Sequence, residues 1–371
     1  MPTTILHVNT ERSWRGGEAQ TLLLARGLEA RGHRCLLIVQ PGSPLAARAS
    51  GAGLETIPVR VRGELDLAAA RRIAAALERE KVGLLHYHTG HAVTLGTVAT
   101  LLAGRRPAVA SRRVSFPFRS RLVGRLKYRL RVDRVVAVSE AIRARLIAQG
   151  LDPRRVVVIH SGIDPDRFSG GDRARFRASI GGPAVLPERG APLIGTVGHL
   201  AAHKGIDLFL EAAALAAREL PGARFVIVGR GEREASLRRL AARLGMAGKA
   251  IFTGFRDDMP DVYAGLDQLV LASSSGEGSP AVIKEGMAAG LPVVATSLAG
   301  LDEIAEDGRH ALLTPPGNAP AMARAMILLA TDPALRARLV EAARVRVREF
   351  SADRMVERTE SIYREIGAVP P

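Results

Sequence analysis

The sequence holds a single cysteine, Cys35, and that one lies inside the apolar run RCLLIV. A disulfide framework is therefore excluded, and the chain must gain its stability by burying a core. Aromatics are scarce. There are 14 Phe, Trp and Tyr in 371 residues, and they do not recur among the arginines as a base-stacking platform. Nucleic-acid binding as the main function is thus not expected. Long apolar runs are also missing: the longest uncharged stretch, 88–104, carries two histidines and falls short of the roughly 20 residues a membrane span needs. It reads as a helix buried against a sheet. The start, MPTTILHVNT, lacks a basic region followed by an apolar one, so a signal peptide is not expected and TILHV reads as a first strand. A cytoplasmic protein is the expectation.

What the sequence has in excess is arginine. Only five of its 53 basic residues are lysine, and the net charge is +16. The excess is lopsided: residues 1–180 hold 31 Lys and Arg against 14 Asp and Glu, whereas 181–371 hold 22 against 23. Residues 105–134 alone carry 11 basic side chains and one acid, Asp133. A general bias toward arginine would spread over both halves. A polyanionic partner on the first half, such as an anionic membrane surface, is therefore as good a reading as a solvated basic face.

Short β-branched runs alternate with helical patterns along the whole chain. TILHV, RCLLIV, LETIPV, GLLHYH, AVAS, RVVAVS and RVVVIH read as strands in the first half; PLIGTVG, RFVIVG, AIFTGF, QLVLAS, PVVAT and HALLTP do so in the second. Between them lie helices such as 18–31, with apolar residues at about 3.6 spacing. Alternating strands and helices imply parallel sheets covered on both faces. Thirteen strands are too many for one ordinary open sheet, and 181–192, GGPAVLPERGAP, looks like a linker. The expected fold is α/β with two doubly wound, Rossmann-like domains, 1–185 and 186–350, whose strand ends face a central cleft. The remainder, 351–371, is expected to be a helix packing back on the first domain.

One stretch, EGSPAVIKEGMAAGLPVVAT at 277–296, places two glutamates eight apart around a Gly-Ser-Pro break. Ser279 suits an N-cap, Pro280 the first helical position and Gly290 the closing one. Free N–H groups at such a start attract anions. Glu277 then sits in the loop at the mouth of a phosphate site, and Glu285 lies about a turn and a half into the helix. Each carboxylate can accept from the vicinal hydroxyls of a ring. By itself the segment is equally a capped helix with surface glutamates.

The segment resembles the Glu-x7-Glu element of the retaining glycosyltransferases of the GT-B class, family 4. IFTGFRDDMPDVYAGLDQLVLASS, VAVSEAIRARL, HSGIDPDRF and RGGEAQTLLLARGLEARGH are similar to further landmarks of that family, in the same order. The resemblance implies a GT-B fold and a metal-independent, hexosyltransferase-like activity that needs no cofactor beyond a nucleotide-diphosphate sugar donor. It also implies roles. Glu277 would contact donor-sugar hydroxyls near the reacting carbon and Glu285 the ribose, and Lys204 would neutralise the leaving diphosphate. Gly278, Ser279 and Pro280 would form the phosphate-binding helix start. Gly16 and Gly17 would let the first-domain loop approach the phosphates, and His88 would face the sugar. The acceptor, lipid-linked or saccharide, would dock on the first domain beside the basic segment 105–134. That segment would attach the protein peripherally to the inner face of the cytoplasmic membrane for glycolipid or polysaccharide synthesis, with Leu122, Val123 and Leu126 adding insertion.

Two departures stand out. The family usually has Arg in VGRL, and this chain reads VGHL, so His199 replaces a permanent cation in the catalytic set. RGGE is one residue off the commoner spacing, so Glu18 need only begin a helix. Other readings are weaker. HYHTGH offers His86, His88 and His91 at near metallo-hydrolase spacing, but Gly90 takes the place of the aspartate. VGRGERE, 228–234, hints at a dinucleotide loop, but Glu234 stands where its third glycine should be. A nucleotide-sugar isomerase of the same fold and a non-catalytic nucleotide-sugar binder stay open as alternatives.

Overall fold

The computed structural model describes residues 3–114, 121–182 and 191–369. The chain divides into two units: Met1–Gly162 with Ala352–Pro371, and Ile163–Ser351.

The first unit is a seven-stranded parallel sheet. Its strands are β1 (Thr4–Val8), β2 (Arg34–Val39), β3 (Glu55–Pro58), β4 (Leu84–Tyr87), β5 (Ala108–Arg112), β6 (Arg134–Ala137) and β7 (Val156–Val158), in the order β3-β2-β1-β4-β5-β6-β7. Successive residues of each strand supply opposite cores. Leu6, Val8, Leu36, Ile38 and Leu85 pack on one face, and Ile5, Cys35, Leu37, Val39 and Leu84 on the other. That period of two, apolar on both phases, is why the runs read as continuously hydrophobic. Helices Gly16–Ala30 and Ala352–Glu365 cover the second face, where the side chain of Val356 fills the space that Gly27 leaves open. On the opposite face Tyr87 fits over Gly96 in helix Gly90–Leu102, where any Cβ would strike its ring.

The second unit is a six-stranded parallel sheet of β8 (Leu193–Val197), β9 (Arg224–Val228), β10 (Ala250–Gly254), β11 (Gln268–Leu271), β12 (Val293–Thr296) and β13 (Leu312–Thr314). Its order is β10-β9-β8-β11-β12-β13. Its strands alternate in the same way, with Ile194, Ile227 and Val270 on one face and Leu193, Val228 and Leu271 on the other. Gly229 (φ +138°) and Gly231 lie so close to the backbone of Gly198 and Leu200 that a Cβ at either would collide with it. The glycines of VGRGERE thus serve the packing of two loops.

All thirteen expected strands form. The division falls at Gly162/Ile163 and not near 185, because residues 163–182 belong to the second unit. Phe176 is fully buried against Gly265, and Arg177 donates to the Gly265 carbonyl at 2.9 Å and to Asp267 at 2.7 Å. Most of the expected linker, 183–190, lies outside the described residues. Ile163 donates to the Phe350 carbonyl at 2.9 Å, which sets the second unit's two ends side by side. Within the basic segment, residues 115–120 and the side chains of Arg121 and Val123 are likewise outside the described residues.

Candidate functional site

Ligands of doubly wound sheets bind beyond the carboxyl ends of the strands, where the strand order reverses. In the second unit that point lies between β8 and β11. β8 leads to His199 and to a short 3-10 turn, Ala202–Lys204, that presents Lys204. β11 leads to Ser273, Glu277 and helix Ala281–Ala288. The two loops meet there. Lys204 Nζ donates to Glu277 Oε1 at 2.6 Å, and Ser273 Oγ donates to the same oxygen at 2.6 Å. Glu277 is buried, and its Oε2 has no partner among the described residues. That oxygen remains available to hydroxyl donors of a ligand.

The helix begins one residue later than the sequence suggests. Pro280 is the N-cap and Ala281 the first helical residue, so Ser279 does not cap. The cause is Lys284, a fully buried lysine whose Nζ donates to Ser279 Oγ at 2.9 Å and holds the hydroxyl away from the capping position. Gly278 is buried, and Gly300 (φ +98°) comes so close to its carbonyl that a side chain there would clash. Gly290 (φ +77°) closes the helix as expected. Glu285 is half-buried and accepts from Tyr263 Oη at 2.6 Å. Burial pushes its pKa above the ordinary glutamate value against the pull of that bond. His199 Nε2 lies 3.1 Å from Glu232, an acid the sequence reading did not single out.

In the first unit the order reverses between β1 and β4. The loops after them are joined by the hydroxyls of Thr10 and Thr89, 2.7 Å apart. Gly16 and Gly17 open helix Gly16–Ala30, and Glu18 Oε2 accepts from the Arg15 N–H at 2.9 Å, so Glu18 closes the helix start. A Cβ at Gly16 would meet nothing within the protein. The freedom of that glycine is not needed for packing.

His88 is buried beside two other histidines. His7 on β1 is in register with His86 on β4, and His88 follows two residues on, so all three rings lie on the same face of the sheet. Arg113 Nη2 donates to His88 Nδ1 at 3.4 Å. His88 therefore carries its proton on Nε2 and donates to His7 Nδ1 at 3.0 Å. Burial drives the pKa of His7 down to about 3 and those of His86 and His88 well below the usual range, so the stack is neutral at pH 7. His86 is held by Tyr363 Oη at 2.5 Å and Ser111 Oγ at 2.8 Å. One nitrogen from each of the three rings lies within 4.8 Å of the other two, the reach of a metal site. The rings of His86 and His88 stack at 4.3 Å and 18°, however, so their in-plane lone pairs run side by side and do not converge. His91 of the spacing argument is exposed on helix Gly90–Leu102 and takes no part. Arg113, half-buried, has its pKa lowered to about 10 by burial and stays charged at neutral pH.

Both switch points thus carry residues expected from the sequence: His199, Lys204, Glu277 and Glu285 in one unit, Gly16, Gly17 and His88 in the other. Missed were His7, Arg113, Ser273, Tyr263 and Lys284. Of these only His7 left a signal, a polar residue on the buried phase of an apolar strand.

Residues 14–167 match the Glycosyltransferase Family 4 model, and residues 191–332 match that of Glycosyl transferases group 1. A 2-deoxystreptamine glucosyltransferase of Streptomyces kanamyceticus is 30% identical over 362 residues, covering 85% of this chain and 90% of that protein. A D-inositol 3-phosphate glycosyltransferase of Salinispora tropica is 32% identical over 308 residues, covering 79% of this chain but 61% of that protein's length. Among solved structures, Anabaena HepE in complex with UDP-glucose superposes with a TM-score of 0.88 at 22% identity, over 98% of this chain and 99% of that one. The fold is GT-B, with two Rossmann-like parallel-sheet domains, and the chain belongs to glycosyltransferase family 4.

Proposed function

We propose that the chain transfers a sugar from a nucleotide-diphosphate donor to an acceptor hydroxyl, with retention of anomeric configuration and without a metal. The observation that carries this reading is the convergence of Lys204, Ser273 and Glu277 at the β8/β11 switch, beside a helix start with free N–H groups. A diphosphate at that start would meet the helix dipole and the Lys204 ammonium, which stabilise the negative charge that grows as the bond to the sugar breaks. Glu277 Oε2 would accept from a sugar hydroxyl, and Glu285 from the ribose. The departing phosphate oxygen can take the acceptor proton on the same face, so no protein nucleophile is required. The fixed cation and helix dipole stand in for a metal. His88 has both nitrogens engaged, so it would act on the sugar only with its bond to Arg113 or His7 rearranged.

The acceptor would dock on the first unit. The basic segment 105–134 makes a lipid-linked acceptor at an anionic membrane surface the favoured case, as in cell-envelope glycolipid or polysaccharide synthesis. Among the described residues no helix is long and apolar enough to cross a membrane, so attachment would be peripheral. Incubation with labelled nucleotide sugars and a membrane extract separates this reading from its rivals. Label in a new glycoconjugate is expected. Label only in an isomerised donor, or only bound to the protein, would contradict it.

A further inference from the structure

The first unit carries a basic pocket that the donor chemistry does not use. It is a cavity of about 440 Å³ lined by Arg12, Arg60 and Arg62 over a floor of Gln40, Gly42 and Ser43. These residues come from the loops after β1, β2 and β3, so the pocket opens on the carboxyl edge of the sheet, the same edge as His88 and Gly16.

The floor is built firmly. Gln40 is buried and ties all three loops together: its amide donates to the Thr10 carbonyl at 3.2 Å and the Val61 carbonyl at 2.9 Å, and accepts from the Val61 N–H at 3.1 Å. Ser43 is buried and caps helix Pro44–Gly51, accepting from Ala46 N at 3.2 Å, after a left-handed turn at Gly42 (φ +69°). The alternation Val59-Arg60-Val61-Arg62 buries both valines and leaves both guanidinium groups outward. Arg12 spends one N–H on the Val61 carbonyl at 3.1 Å. Arg12 and Arg60 form no ion pair among the described residues, and Arg62 feels the charge of Asp66. Asp66 accepts the Ala69 and Arg62 backbone N–H groups with its two oxygens.

Three guanidinium groups lining one pocket suit a dianion with three peripheral oxygens better than a carboxylate. We infer that Arg12, Arg60 and Arg62 form a binding site for a phosphate ester carried by the acceptor. This rests on the glycosyl-transfer reading for the word acceptor, but the site itself does not. With strands about 4.8 Å apart, the bound phosphate sits two to three strand spacings, roughly 10–14 Å, from the end of β4. The acceptor therefore presents its reacting hydroxyl at the β1/β4 switch and its anionic end over β2 and β3.

The test measures binding by the full chain of labelled glycerol 3-phosphate, and of phosphatidylcholine vesicles with and without phosphatidic acid, each in the presence and absence of UDP. Wild type is compared with the triple variant Arg12→Gln/Arg60→Gln/Arg62→Gln, whose fold is checked by circular dichroism, and with Arg125→Glu/Arg129→Glu as a control for the separate basic helix. Saturable binding weakened about tenfold or more in the triple variant, with UDP binding unchanged, is expected. Loss seen with glycerol 3-phosphate points to a soluble phosphate ester, and loss seen only with vesicles to a lipid one. No saturable binding to either probe, or equal binding by the triple variant, overturns the inference. Failure of the wild type to bind UDP or any other nucleoside diphosphate would instead count against the glycosyl-transfer reading.

Discussion

Lys204 and Glu277, 73 residues apart in sequence, form an ion pair of 2.6 Å at the switch point of the second sheet. The cation expected to meet the diphosphate and the carboxylate expected to meet the sugar are one coupled unit before any ligand arrives. Removing Lys204 leaves a buried carboxylate uncompensated, and removing Glu277 frees the ammonium. Lys204→Ala should therefore cost roughly 10²-fold in kcat, as loss of a charge stabiliser does. Glu277→Ala should depress kcat as well, and the double variant should be far from additive. Additive effects from the four-member cycle would show that the pair does not act as a unit.

Glu285 should behave differently from Glu277. Glu285→Ala is expected to raise the donor KM with kcat little changed, because a ribose contact is made equally in the ground and transition states. A drop in kcat with unchanged KM would remove it from the ribose.

The raised pKa of Glu285 has a sign that can be measured. The folded state holds this proton more tightly than the unfolded chain, so the group's contribution to stability falls as pH rises from the ordinary glutamate value through the raised one. Glu285→Gln stays neutral and keeps an acceptor for Tyr263. The melting temperature of Glu285→Gln minus that of wild type should thus climb across that window and level off above it. A flat difference would mean that burial does not perturb Glu285.

His199 lies 3.1 Å from Glu232 on the exposed side of the site. His199→Arg should keep or improve activity, since a permanent cation can hold both Glu232 and the diphosphate. An inactive His199→Arg protein would assign the imidazole a role of its own.

Helix Arg121–Arg129 exposes Leu122 (77%), Leu126 (53%) and the basic pair Arg125 and Arg129. Basic residues near an anionic leaflet contribute about 1 kcal/mol each, and the attraction is screened by salt. Wild type should sediment with anionic liposomes at low salt and much less at high salt, and Arg125→Glu/Arg129→Glu should lose most of this binding. Indifference of the wild type to anionic liposomes at low salt would reject membrane attachment.

The strands and their parallel pairing were legible because runs such as RCLLIV and RVVAVS are apolar on both phases. The 277–296 segment was legible because its Gly-Ser-Pro break and paired glutamates are local. What depends on register was hidden. His7 meets His86 only because β1 and β4 pair Ile5 with Leu84, which no spacing reveals. Ser279 was misread as a cap because Lys284, five residues on, is buried and competes for the hydroxyl. The unit boundary was placed too late because the Gly- and Pro-rich run 181–192 reads as a linker, whereas Phe176, Arg173 and Arg177 anchor the residues before it on Gly265 and Asp267.

The most direct test of retaining, metal-free transfer is the anomeric configuration of the sugar in its product, read by proton NMR from a reaction run with a chelator. A panel of nucleotide sugars screened by thermal shift supplies the donor, and the membrane extract supplies the acceptor. The account predicts transfer undiminished by the chelator, with the new glycosidic bond in the donor's own anomeric configuration. An inverted product, or transfer abolished by the chelator and restored by a divalent cation, would contradict it.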